Sequence, residues 1–340
     1  MLDRRKIWVP EPGVAQVVTD QFDETLTSPS QVLVRNLFSH ISAGTELACI
    51  AGSESFFTIP DTPGYTAVGK ILKTGSAVDH LKEGDLVYTY GPHAGYFIID
   101  VEDRWHGVCV KLPDGIDPEL ATFTHMAGIA MTSLRSSKVE LGDHVLVTGL
   151  GAIGNLAAQL AQLQGGRVIA SDVVDNRIGI ATRCGIGTTV NPAKTDLKAF
   201  VEEATGGKLV STYIDASGQP KVVEQTLDLV SLYGEVILLG SPRTPYETSL
   251  TSHLQHFHYL PWCQTMKGAL EFTYPTHSTE FVKHSIERNA KIIMDLILAE
   301  KLIVKPLYSH RISPHEIQSA YDGLREEPET YVGVVIDWNS

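Results

Sequence analysis

Six residues, Gly149-Leu150-Gly151-Ala152-Ile153-Gly154, constrain this chain more than any other stretch. A G-x-G-x-x-G hexapeptide says little alone and acquires meaning between a strand and a helix. Residues 144–148, His-Val-Leu-Val-Thr, read as a short apolar strand. Residues 156–163, rich in Ala, Leu and Gln, read as a helix. In that setting Gly149 permits the tight turn and Gly151 lets a pyrophosphate approach the backbone. Gly154 lets helix pack closely on strand. Ala152 and Ile153 then stand at the helix N-terminus, where unpaired N–H groups and the dipole favour phosphate. The next strand, residues 167–171, leads to Asp172, 23 residues after Gly149. A carboxylate about 20 residues on binds the adenosine ribose hydroxyls and repels a 2′-phosphate, which favours NAD(H) over NADP(H). Arg177, just beyond, leaves some NADP(H) tolerance open. Ser217, in Asp215-Ala216-Ser217-Gly218, and Gly240-Ser241 are expected to line the same cleft.

The alternation continues downstream, with strands expected at 213–215 and 235–239 around a helix at 222–231. This βαβ repetition predicts an α/β fold with a doubly wound parallel sheet. The first third differs. It offers short strand candidates at 32–34, 67–72 and 85–88, punctuated by Gly, Pro and Asp, and the tail returns to strand-like residues 332–338. Asp117-Pro118-Glu119-Leu120 reads as a capped helix start. The expected organisation is a β-rich domain, residues 1–120 and 304–340, interrupted by a dinucleotide-binding domain, residues 121–303. A further strand is expected at 269–274.

Composition excludes several classes of partner. The chain has 340 residues and a formal net charge of −13, which disfavours a phosphate backbone. No run approaches the ~18 apolar residues of a membrane span, and the charged N-terminus leads into no long apolar core. Four scattered cysteines show no CxxC pair and fit reduced thiols in the cytoplasm.

Several segments together resemble the medium-chain dehydrogenase/reductase family, over essentially the whole chain. Ala43-Gly44-Thr45-Glu46-Leu47 is similar to its Cys-Gly-Thr-Asp-Leu segment, and Pro63-Gly64-Tyr65-Thr66-Ala67-Val68-Gly69 to its Pro-Gly-His-Glu-x-x-Gly segment. Glu83-Gly84-Asp85-Leu86-Val87 matches its Gly-Asp-Arg-Val turn, and residues 141–147 lead into the glycines as they do in the family. The tail, Tyr331-Val332-Gly333-Val334-Val335-Ile336-Asp337-Trp338, resembles sugar- and polyol-linked members, and Ser-x-Gly-Thr-Glu resembles bacteriochlorophyllide dehydrogenases. The resemblance implies a GroES-like catalytic domain beside a Rossmann domain, and a homodimer or dimer of dimers.

The departures concern metal. In zinc members the Cys and His of those segments bind catalytic zinc; here they are Ala43 and Tyr65. The third ligand position falls on His125, and the Glu after the family's His becomes Thr66. The four-cysteine structural zinc lobe is absent. A catalytic zinc needs three protein ligands, so no metal is expected. His125 or Tyr65 is then the candidate general acid/base, with Thr45 at the family's proton-relay hydroxyl. Glu46, Trp105, Trp262, Tyr274 and His277 are candidate contacts to a small-molecule substrate. Three histidines in His253-Leu254-Gln255-His256-Phe257-His258 show no metal-ligand spacing. The expected reaction is NAD(H)-dependent interconversion of secondary alcohol and ketone on a sugar, polyol or cyclitol. A zinc-independent enone or quinone reductase and a non-catalytic NAD(H)-binding protein are the alternatives.

Overall fold

The computed structural model describes residues 1–340. The chain divides into two compact units. One comprises Met1–His125, Tyr274–Glu300 and Leu307–Ser340; the other comprises Met126–Thr273 and Lys301–Pro306.

The first unit is built on a seven-stranded sheet. Its path runs Tyr308–Ile312, Gly333–Asp337, Gln31–His40, Ala67–Thr74, Leu86–Thr89 and Cys109–Lys111, with Tyr96–Asp100 also paired to Gln31–His40. Gln31–His40 is long because Val32, Leu33 and Val34 are all buried, and β-branched residues suit a packed pleated surface. Its end pairs Val335 with His40, which brings the C-terminus beside residues 38–42. Leu2–Trp8 and Gln16–Phe22 form a separate antiparallel ribbon. One apolar cluster gathers Ile7, Ile41, Ile50, Tyr321, Ile336 and Trp338; a second gathers Val34, Ile71, Val87, Phe97 and Ile99. The helix Pro118–Ala121 starts where the sequence says, with the Asp117 side chain accepting from Glu119 N and proline at the first turn. The amphipathic helix Ile286–Leu298, assigned from sequence to the nucleotide-binding half, contacts Cys109–Lys111 and Pro118–Ala121 in the first unit. Its apolar stripe demands a partner without naming which sheet supplies it.

The second unit holds six strands, all parallel: Thr189–Val190, Arg167–Ser171, His144–Thr148, Val210–Asp215, Val230–Leu238 and Thr265–Gly268. This is the doubly wound order 3-2-1-4-5-6 of a dinucleotide-binding sheet, with its switch point beside His144–Thr148. Val145, Leu146 and Val147 are fully buried, as a central strand covered on both faces requires. The helix expected at 222–231 is shorter, Pro220–Thr226 followed by one tight turn, because Val230 already enters the next strand. The strand expected at 269–274 is not formed. The edge strand is Thr265–Gly268, and Glu271–Thr273 is a 3-10 turn. Leu270 and Phe272 are exposed, so their apolar character reflects no sheet face. No helix is long and apolar enough to cross a membrane.

Candidate active site

Two polar centres stand out, one in each unit. In the second, a cleft of about 820 Å³ is lined by Thr148, Gly149, Gly151, Asp172, Arg177 and Ser217, among others. It opens at the carboxyl ends of the central strands, where such sheets place their ligands. Each glycine has a geometric reason. Gly149 sits at φ +85°, and an added Cβ would lie 2.8 Å from Ser217 N. A Cβ on Gly154 would lie 1.7 Å from the Gly149 carbonyl, so only glycine fits. Gly151 faces open space and precedes the helix Ala152–Leu163, whose start has no side-chain cap and no acidic residue in its first turn. Those free N–H groups are a site for a phosphate. Asp172 is pinned: Oδ2 accepts from Leu150 N at 2.6 Å and Oδ1 from Val174 N at 2.8 Å, with Arg177 Nη1 at 3.6 Å. Gly240 and Ser241 press on the back of the turn carrying Ser217, since a Cβ on Gly240 would lie 2.4 Å from Gly218 N. These residues fit a dinucleotide.

Asp215, a strand end in the sequence reading, organises this turn. Its carboxylate accepts from Ser217 Oγ (2.6 Å), Ser217 N (3.1 Å), Gly218 N (3.2 Å) and Thr148 Oγ1 (3.2 Å). Burial nevertheless outweighs these donors and pushes its carboxyl above the usual range. The Asp-x-Ser-Gly pattern, typical of a side chain bonding its own turn, was the available signal.

The first unit's centre is made of side chains. His125 opens the helix Thr124–Ser136 and is 3% exposed. Its ring stacks on Tyr90 at 4.2 Å and 11°, and meets Tyr65 edge-on at 4.9 Å. His125 Nδ1 lies 3.0 Å from the Tyr65 carbonyl and 3.0 Å from Thr66 Oγ1. A carbonyl only accepts, so Nδ1 carries the hydrogen and Nε2 is the basic nitrogen of the neutral ring. The Tyr65 hydroxyl donates to Ser42 Oγ. Thr45, the expected relay, is half-buried on the helix Ala43–Ile50 and makes no side-chain bond to Tyr65 or His125; Ser42, three residues earlier, partners the phenol instead. Ser42, Tyr90, His93 and Tyr321 were missed. Only Ser42 had a sequence signal, a helix-capping residue beside a recognised segment.

Residues 152–277 match the family of zinc-binding dehydrogenases. The D-guloside 3-dehydrogenase of Escherichia coli is 29% identical over 247 residues, covering 66% of this chain and 69% of that protein. The L-threonine 3-dehydrogenase of Pyrococcus horikoshii is 28% identical over 264 residues, covering 68% and 74%. These similarities support a place among the medium-chain dehydrogenases/reductases. The fold agrees: galactitol-1-phosphate dehydrogenase from Escherichia coli superposes with a TM-score of 0.83 at 18% identity, over 98% of this chain and 99% of that one.

The donor set at Ala43, Tyr65 and His125, where the resemblance puts zinc ligands, differs from a zinc site. The zinc-dehydrogenase match starts after Ala43, Tyr65 and His125. Alanine offers no ligand atom, the Tyr65 phenol is a donor to Ser42, and no three His, Cys, Asp or Glu are grouped to hold a metal ion. These residues do not fit a catalytic zinc. His253 and His256 face Glu224 and Asp228 singly, at 4.0 and 3.9 Å.

The five candidate substrate residues have different surroundings. Glu46 is 1% exposed and spends its carboxylate on protein donors, so it is a buried anchor rather than a substrate contact. Trp105 is exposed beneath Arg104. His277 pairs with Glu287 at 3.4 Å, and Tyr274 meets His284 edge-on. Trp262, in the second unit, packs on His256. Trp105 and His277 lie on neighbouring segments, joined where Thr276 Oγ1 donates to the Arg104 carbonyl at 2.6 Å.

Proposed function

We propose that this protein is an NAD(H)-dependent oxidoreductase that interconverts a secondary alcohol and a ketone on a sugar, polyol or cyclitol-like substrate without catalytic zinc. The observation that carries the reading is the hydrogen-bonded group at two positions where the resemblance puts zinc ligands: the Tyr65 phenol on Ser42, and the His125 ring on the Tyr65 carbonyl. The alcohol-oxidising relatives support the reaction class. Asp172 at the end of the second strand supports NAD(H), because its carboxylate disfavours a 2′-phosphate.

Gly149, Gly151, Ala152, Ile153 and Gly154 would hold the pyrophosphate, Asp172 the adenosine ribose, and Ser217, Gly240 and Ser241 the far wall of the cleft. When bound, the nicotinamide supplies hydride transfer. The chain's own task is the proton. His125 is the favoured acceptor of the substrate hydroxyl proton, through Nε2, because Nδ1–H is committed to the Tyr65 carbonyl. A neutral phenol accepts a proton only by passing its own onward, which for Tyr65 means to Ser42. His125 is therefore the base, and Tyr65 becomes a donor to the developing oxyanion when its O–H turns from Ser42 to the substrate oxygen.

The edge strand Thr265–Gly268 has one paired side, and a second copy adding to it would give the homodimer expected of the family. Four cysteines outside any disulfide suit the cytoplasm. The deciding experiment is turnover on a panel of polyols, cyclitols and quinones with NAD⁺ and NADP⁺, with and without chelator. Alcohol oxidation with NAD⁺, unaffected by chelation, is expected. Stoichiometric zinc, with activity lost on chelation and restored by metal, would overturn the zinc-free mechanism.

A further inference from the structure

Ser42 sits at the N-cap of the helix Ala43–Ile50, yet its hydroxyl caps nothing. An N-cap serine ordinarily accepts a backbone N–H two or three residues on, because those donors lack intrahelical partners. Here the Ser42 hydroxyl is committed to the Tyr65 phenol. The serine's own backbone is held by Glu46, whose Oε1 accepts Ser42 N–H at 2.7 Å.

Glu46 is in turn fixed from two other directions. Its Oε2 accepts from Tyr321 OH at 2.7 Å and meets His93 Nε2 at 2.9 Å. His93 Nδ1 lies 2.8 Å from Ser39 Oγ, and Trp338 Nε1 donates to that same hydroxyl at 2.8 Å. His93 also reaches the Tyr65 segment directly. Its backbone N–H donates to the Pro63 carbonyl at 2.9 Å. Gly64 lies at φ +97°, and a Cβ there would come 2.5 Å from the His93 ring, so the imidazole supports the turn that presents Tyr65. Every member of this knot is buried: Ser39 and His93 at 0%, Glu46 and Tyr321 at 1%, Trp338 at 5%, Ser42 at 6%.

We propose that Glu46 is a positioning residue for Tyr65, acting on the phenol through Ser42 and on the backbone turn through His93. The proposal rests on the reading of Tyr65 as part of the proton-transfer group. A carboxylate sealed from water contributes little net stability compared with a well-packed apolar side chain. What it supplies is direction, because three donors must converge on two oxygens. Burial opposes the charge, and the His93 imidazole with the donors from His93, Tyr321 and Ser42 overcomes that, holding the carboxyl below its ordinary range. The other groups in electrostatic reach are His40, which faces Glu46, His93 and His125, and Cys49 and Tyr65, which face Tyr321.

The test uses the full chain labelled at the tyrosine ζ carbon, with the Tyr65 resonance assigned by its loss in Tyr65→Phe. Ser42→Ala removes the acceptor. Glu46→Gln places an amide N–H₂ where three donors converge, so at least one loses its acceptor. The Tyr65 resonance should move in both variants, and by less in the same direction in Tyr321→Phe, which keeps the volume and serves if Glu46→Gln fails to fold. Alcohol oxidation by Glu46→Gln should lose about 10²-fold in kcat, the cost of misplacing a reacting group by about an ångström, with KM little changed. A purely structural role predicts a lower melting temperature with the Tyr65 resonance and kcat at wild-type values, and that result overturns the proposal. A Tyr65 resonance that moves in Ser42→Ala but stays put in both Glu46→Gln and Tyr321→Phe also overturns it. If the wild-type protein oxidises no alcohol, the functional reading fails while the resonance still decides the positioning role.

Discussion

Glu46 and Asp215 are both nearly sealed from solvent and both ringed by donors, yet their carboxyls move in opposite directions. Burial is the largest influence on each. Around Asp215 the opposing groups are hydroxyls and backbone N–H groups of its own turn, and burial wins. Around Glu46 an imidazole stands at 2.9 Å beside a phenol and a backbone N–H, and burial loses. The difference separates two ways of building a site. The second unit's cleft is shaped by backbone and missing Cβ atoms, so its carboxylates tie down turns. The first unit's centre is shaped by polar side chains drawn from distant segments, so its carboxylate ties those segments to one another.

The largest expected effect breaks this comparison on the chemical side. His125→Ala should slow alcohol oxidation by a factor on the order of 10²–10⁴, the range for losing a general acid/base, and Tyr65→Phe should fall toward the lower end. Cofactor binding, followed by quenching of protein fluorescence, should be unchanged in both. A parallel loss of cofactor affinity would mean that these residues act on the cleft instead.

Next in size is an acid sensitivity belonging to the first unit. His40 is fully buried edge-on against Phe123, its Nδ1 has no hydrogen-bond partner, and burial lowers its imidazole to about 3. Its folded form stays neutral while the unfolded chain takes up a proton near the ordinary value of about 6.5. The stability it contributes is therefore complete above about 6.5 and declines as pH falls toward about 3, by on the order of a few kcal/mol. Asp215 carries the opposite sign, favouring the fold below its unfolded value and losing that advantage as pH rises through its raised one. Urea midpoints at about pH 7 and about pH 5 should differ in the wild-type protein and converge in His40→Gln. An equal slope in the variant would remove His40 as the cause.

The smallest effect sharpens the comparison on the cofactor side. Asp172→Ala leaves Leu150 N and Val174 N without their acceptors. NAD(H) affinity should fall about 10-fold, the worth of one lost hydrogen bond to a charged group, and discrimination against NADP(H) should relax. Here kcat at saturating cofactor should hold. Tighter binding of NADP(H) than NAD(H) by the unmutated chain would sink the assignment.

How far the sequence reached follows the same division. The glycines at 149, 151 and 154, Asp172 and the strands around them were legible because their constraints are local: a period, a turn, a spacing along one stretch of chain. The Ala43, Tyr65 and His125 positions were legible through resemblance; in the structure Tyr65 meets His125 edge-on and bonds Ser42, beside Ala43. The strand at 269–274 was misread because an apolar run says nothing of whether a sheet edge or a surface turn receives it. His93 and Tyr321 carried no signal, since nothing near residues 93 and 321 marks either as a partner of residue 46. The chain's own pattern determined a doubly wound sheet with a glycine turn at 149–154, where backbone geometry and adjacent residues suffice. Only the tertiary structure decided that Ser42 rather than Thr45 meets Tyr65, and that Glu46 turns inward to His93 and Tyr321, because those contacts depend on how sheet pairing brings residues 39, 46, 93, 321 and 338 to one point.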